Sequence, residues 1–174
     1  MDDATFHLIR ERIGEPGFAA EVLKIATLAE SDLDTCLCLY FSAPGKHLTF
    51  IELVCGPMGY DGKVRLLEKI PGRKGLKSRM LALTTLRRIQ RIRNLVAYPT
   101  FFMPHSKIRQ LENDPEIISI FRTSTDRLSE TLRDCRRGLY HLSRSKEWIH
   151  DDRSASVPSS VDIFIERWRK AMNA

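Results

Sequence analysis

Arginine can hold a phosphate, histidine can pass a proton near neutral pH, and asparagine and tyrosine can orient or stack against a substrate. This chain gathers all four types in one stretch: Arg93, Asn94, Tyr98 and His105. They are the candidate catalytic residues. Arg73, Lys74, Lys77, Arg87, Arg88 and Arg91 lie in the same region and are the candidate nucleic-acid contacts. From Lys69 to Leu111 the sequence has eleven lysines and arginines and no aspartate or glutamate. The whole chain carries +6, so these eleven cations leave the remainder at −5. Charge segregated in this way sets up a local positive field that attracts polyanions such as RNA or DNA. A solvated helix face or a patch for an acidic protein partner accounts for the charge equally well.

These residues need an element to position them, and the spacing predicts a helix from Leu76 to Tyr98. Pro99 closes it, because the residue before a proline is pushed away from helical angles. With Ile89 at zero and ~100° per residue, Ala82, Thr85, Leu86, Ile92, Val96 and Ala97 fall within an arc of ~140°. Arg87, Arg91, Asn94 and Tyr98 fall on the opposite side. Arg93 lies at ~40°, inside the apolar arc. A guanidinium cannot shed its charge, so at that angle it must meet a carboxylate, a phosphate, carbonyl oxygens or water. An arginine snorkelling near a helix end satisfies the same geometry without any function. Glu21, Glu30 and Glu52 are the acids that could take it up within the core.

The rest of the chain reads as further helices. Phe18 to Glu30 carries an apolar stripe through Phe18, Val22, Ile25 and Ala29, with Gly17 marking its start. Leu33 to Phe41 either continues that helix or begins another, for which Ser31 and Asp32 offer an N-cap. Leu48 to Val54 is read as helix, and Asp61 to Ile70 as a short helix turning Val64 and Leu67 inward. Ile117 to Phe121 is open between a strand and a helical turn. Ser124 or Thr125 caps a helix reaching about Trp148, with Leu128, Leu132, Cys135, Leu139, Leu142 and Ile149 on its stripe. Tyr140 and His141 are expected at its core edge. Arg153 to Ser160 reads as a polar linker before an amphipathic helix, Val161 to Met172, that docks on the domain or meets a protein partner. The expected fold class is all-α, an up-and-down helical bundle of five to seven helices with at most one short strand. Residues 1–152 form the bundle domain, and residues 153–174 the linker and C-terminal helix.

Several function classes are excluded at this level. Cys36, Cys38, Cys55 and Cys135 show no metal-site spacing, and three lie in apolar runs, where a free cysteine behaves as a small hydrophobe. No metal and no cofactor are expected, and a reducing cytoplasm is the expected compartment. The start Met1-Asp2-Asp3 lacks the order of a signal peptide, and no apolar stretch is long enough to span a bilayer. Pro71-Gly72-Arg73-Lys74-Gly75 lacks the ending of a phosphate loop, and no nucleophile elbow or dinucleotide fingerprint is present.

The segment Tyr60-Asp61-Gly62-Lys63-Val64-Arg65-Leu66-Leu67, followed by Arg93-Asn94-Leu95-Val96-Ala97-Tyr98, resembles the HEPN superfamily of helical bundles. In that family a lysine-bearing helix precedes one ending R-N-x-x-x-H, and here Tyr98 stands in place of the histidine. The resemblance implies a homodimer whose paired helix ends cut RNA without metal: a 2′-hydroxyl attacks the adjacent phosphate, histidine moves the proton and arginine holds the phosphate oxygens. Phenol, with a pKa of ~10, is a poor base at neutral pH. Three readings therefore stand: a member that binds RNA without cutting it, one that cuts with His105 as proton carrier, or a helix end alike by chance. The alternative function is a non-enzymatic interaction module, an inhibitor, antitoxin or adaptor, working through its basic face or its C-terminal helix.

Overall fold

The structure, a computed structural model, describes residues 2–43, 45–70, 76–97, 106, 108, 111, 114–123 and 125–143. Among them the regular elements are helical throughout, so the fold class is all-α as the sequence leads one to expect. The chain order is α1 (Asp3–Gly14), α2 (Pro16–Phe41), α3 (His47–Phe50), a π-helical turn (Ile51–Cys55), α4 (Tyr60–Glu68), α5 (Leu76–Ala97), α6 (Pro115–Arg122) and α7 (Thr125–Ser143). None of the described helices is long and apolar enough to cross a membrane. Contacts divide the chain into two compact units, Met1–Leu28 with Thr85–Leu132 and Ala29–Thr84 with Arg133–Ala174.

In the first unit α1 starts where Asp2 accepts a hydrogen bond from the Thr5 backbone N–H at 2.6 Å. That bond, reinforced by the Thr5 hydroxyl, holds the Asp2 carboxyl below the usual carboxylate range. Ile9 and Ile13, one turn apart, are the buried apolar face of α1, which packs against α6. Helix α6 turns Ile117, Ile120 and Phe121 inward, and the Phe121 ring lies 5.3 Å from that of Phe18. Arg122 donates to the Thr5 hydroxyl at 2.7 Å. Asp114 caps α6 through the Ile117 N–H, with Pro115 in the first turn, where its missing N–H costs nothing. The apolar run from Ile117 to Phe121 is thus helix, because this cap and proline fix its first turn.

In the second unit the buried face of α2 runs through Ala29, Leu33, Cys36 and Leu37, spaced at helical intervals. Ser31 and Asp32 do not begin a new helix. Helix α2 is continuous for 26 residues and starts at Pro16, with Gly17 inside it. The Asp32 carboxylate instead accepts from Arg136 Nε at 2.7 Å, across 104 positions of chain. The stripe of α7 is buried at Cys135, Leu139 and Leu142 here, and at Leu128 and Leu132 in the part of the helix that belongs to the first unit, as its spacing predicts. Tyr140 is buried too, whereas His141 faces solvent rather than the core edge.

The second unit also holds a feature that periodicity does not announce. After α3 the backbone widens into the π-turn, closed by the Gly56 N–H donating to the Ile51 carbonyl at 2.7 Å. A Cβ on Gly56 would sit 2.9 Å from the Glu52 carbonyl oxygen, so the turn requires glycine there. Single π-turns within helical segments are often found at functional sites. Helix α4 ends with Arg79 donating to the Glu68 and Ile70 carbonyls, so this cation of the acid-free stretch serves as a helix cap.

Candidate functional site

Helix α5 places the arginines. Ala82, Leu83, Thr85, Leu86, Ile89, Ile92 and Leu95 are buried, which is the apolar face read from the sequence extended to a broader arc. On the other side Arg87, Arg91 and Asn94 are exposed, one or two per turn along a single stripe. Arg88, at the edge of that stripe, points its Nε at Asp114, 3.3 Å away. Arg91 stands 3.6 Å from the other Asp114 oxygen and keeps 57% of its side chain exposed. One carboxylate therefore caps α6 and anchors two of the candidate nucleic-acid contacts. Two guanidiniums against one carboxylate leave the Arg88, Arg91 and Asp114 cluster positive.

Arg93 is half-buried. The apolar arc on which it sits opens towards the helix end, where Val96 is half-buried and Ala97 exposed rather than inward. The acids that could have drawn Arg93 into a core are engaged elsewhere or exposed. Glu21 pairs with Lys24 at 3.2 Å, Glu30 with Lys63 at 2.8 Å, and Glu52 faces solvent. Among the described residues no ion pair reaches Arg93. Its position needs no buried partner, because its stretch of the arc is not fully buried. Tyr98, His105, Arg73 and Lys74 lie outside the described residues, as do Trp148, Ile149 and the whole of residues 153–174; Lys77 is placed only by its helical backbone.

Sequence reading did not single out the polar clusters of the second unit. Lys63, in the α4 segment carrying the family resemblance, is 5% exposed and its Nζ donates to Glu30 at 2.8 Å and Asp34 at 2.9 Å. Burial works against its charge, but the Asp34 and Glu30 carboxylates more than offset this and raise its pKa above the ordinary lysine value. Beside it Cys55 is pushed up to about 11, mainly by burial, with the Asp34 charge adding to the effect. Burial raises Cys36 and Cys38 as well. A thiol kept protonated is a poor nucleophile, so thiolate chemistry is not available at these positions. The signal for Lys63 lay in Glu30 and Asp34, one turn apart on α2 and 29 or more positions away in sequence.

The second cluster joins α2 to α3. Ser42 Oγ lies 2.7 Å from the Cys38 carbonyl and 2.6 Å from His47 Nδ1. His47 is buried, and desolvation lowers its pKa below the usual histidine value. A histidine with a depressed folded-state pKa contributes stability above its unfolded pKa and loses it as pH falls through the folded value. The protein is therefore expected to lose stability on acidification below pH ~6.5, and His47→Gln to flatten that part of a stability-against-pH profile measured by urea unfolding. An unchanged profile in the variant would assign the loss to other groups.

Among the described residues no group of three histidine, cysteine, aspartate or glutamate side chains is placed to hold a metal ion. No family model, curated protein or solved structure matches this chain.

Proposed function

We propose that this chain is an RNA-binding helical protein of HEPN-like character that grips the phosphate backbone through the exposed α5 stripe and does not cut efficiently. The observation that carries the reading is the alignment of Arg87, Arg91 and Asn94 on one solvent face, within a segment free of acids from Lys69 to Leu111. Two exposed arginines spaced four apart lie on one face of the helix, a spacing that suits successive phosphates. Asn94 adds a donor and an acceptor that a base edge or a 2′-hydroxyl can use. Tyr98, where the family pattern has histidine, supports binding without cleavage, since a phenol stacks well but takes up a proton poorly at neutral pH. A homodimer that pairs the two α5 ends would double the positive surface.

The test is titration of a fluorescent single-stranded RNA in EDTA at several salt concentrations. Wild type is expected to bind with a negative salt slope and to leave the RNA intact. In Arg87→Glu/Arg91→Glu the slope should become shallower by ~1.4, the value for losing two single-strand phosphate contacts. Asp114→Asn keeps the α6 cap while releasing Arg88 and Arg91, so it should tighten binding. Equal RNA affinity in all three proteins would overturn the reading, as would cleavage that disappears in Arg93→Ala. No RNA binding, together with a protein complex lost on removing residues 161–174, would transfer the function to the interaction-module alternative.

A further inference from the structure

The second unit contains a cavity of about 250 Å³ between the end of α2 and the α3 and π-turn segment. Its walls include Thr35, Cys38 and Leu39 on one side and His47, Leu48 and Ile51 on the other. Among the described residues the walls carry no charged side chain, so they offer nothing to a phosphate, a carboxylate or a free cation. A cavity of ~150 Å³ accommodates benzene, so this one suits a molecule of one or two fused rings or a short branched chain.

The polar groups in the wall are nearly all committed. Thr35 Oγ1 donates to the Ser31 carbonyl at 2.9 Å, and the Cys38 thiol donates to the His47 carbonyl at 3.3 Å. The exception is His47, which is 7% exposed and whose Nε2 has no hydrogen-bond partner among the described residues. Its protonation follows from the neighbouring contacts. Ser42 Oγ donates back to the carbonyl of Cys38, four residues earlier, at 2.7 Å, the bond that serines at helix ends commonly make. The 2.6 Å contact between Ser42 Oγ and His47 Nδ1 then requires the hydrogen to sit on Nδ1. In the neutral ring Nε2 is therefore a bare lone pair, an acceptor with no accessible surface until a wall residue moves aside. Leu48, beside it in sequence and in the cavity wall, is 72% exposed and can swing outward at little cost as a guest enters.

We infer that this cavity is a binding site for a small, neutral, mostly hydrocarbon molecule carrying a single N–H or O–H donor, which His47 Nε2 accepts. The apolar walls supply the affinity and the lone pair the selectivity, the usual division of labour in small-molecule pockets. Indole fits the requirement in size and in its one donor, while benzothiophene has nearly the same shape and no donor. The site lies wholly in the second unit and does not depend on the α5 stripe binding RNA.

The experiment is titration of the full-length chain with indole and with benzothiophene, followed by calorimetry and by the methyl NMR signals of Leu39 and Ile51. Indole is expected to bind about tenfold more tightly, because benzothiophene leaves the buried acceptor unpaired. That preference should vanish in His47→Phe, and also at a pH low enough to protonate Nε2 and turn it into a donor. Ile51→Trp fills the cavity while leaving the Ser42–His47 contact intact, and should abolish saturable binding of both compounds. Equal affinity for the two probes overturns the assignment of His47. Absence of saturable binding in the folded wild type, or binding that survives Ile51→Trp, overturns the site itself.

Discussion

Replacing Glu30 and Asp34 together with leucine is expected to destabilise the protein by about 3–5 kcal/mol, seen as a lower urea midpoint at constant slope. The reason is the asymmetry of burial in the cluster. Lys63 is 5% exposed, whereas the side chains of Glu30 and Asp34 retain 32% and 20% of their exposure. Removing the carboxylates strands an ammonium with neither water nor an acceptor. It must then remain charged at high cost or give up its proton well below its usual pKa. The reverse deletion, Lys63→Met, leaves two carboxylates that still reach solvent, and a methionine that fills much of the same space. Its cost should be nearer about 1–3 kcal/mol. The triple variant should recover a large part of the loss, since well-packed apolar replacements of buried ion pairs are often close to neutral. If Lys63→Met proves as costly as the double leucine variant, the cluster is not held by the needs of the lysine.

Phe121→Ala is expected to cost about 3–5 kcal/mol, a comparable share of the stability of an ordinary domain. Phe121 is fully buried in the first unit, and its ring meets Phe18 at a tilted 5.3 Å separation. The loss combines the transfer of a large ring from water with the hole left between helices that cannot close fully. Phe121→Leu keeps most of the volume and should lose much less, near about 1–2 kcal/mol. Urea unfolding followed by far-ultraviolet circular dichroism measures both variants. Equal losses would show that the aromatic contact rather than the volume matters.

The sequence displays α5 and α7 clearly, and for the same physical reason. Their apolar residues recur at intervals that put them on one face whatever they pack against, so the stripes from Leu86 to Ile92 and from Leu128 to Leu142 need no knowledge of partners. Helix α1 leaves a faint trace in the sequence because its apolar face is only Ile9 and Ile13, although Asp2, three residues before Thr5, is an N-cap signal. The continuity of α2 was obscured by Ser31 and Asp32, which resemble a cap in isolation. What decides the matter is Arg136, and a partner 104 positions away leaves no local trace. The candidate site divides in the same way. The exposure of Arg87, Arg91 and Asn94 follows from angle alone and was legible. The use of Arg79 as a helix cap, the hold of Asp114 on Arg88, and the burial of Lys63 and His47 all depend on where other elements lie. Arg93 looked anomalous because the helical wheel assumes equal burial along the whole helix, and the last turn of α5 is more open than the rest.

Cys36, Cys38, Cys55 and Cys135 form no disulfide, are buried, and are all carried by the second unit. A thiol reagent too bulky for the cavity that Cys38 lines can therefore react with the folded protein only as fast as that unit opens, while the first unit contributes no signal. The chain thus carries its own chemical clock for half of its structure. The rate of thiol modification, set beside the circular dichroism of the whole molecule, would separate a change that loosens the surroundings of Lys63 and His47 from one that loosens the packing around Phe121, without any label being introduced.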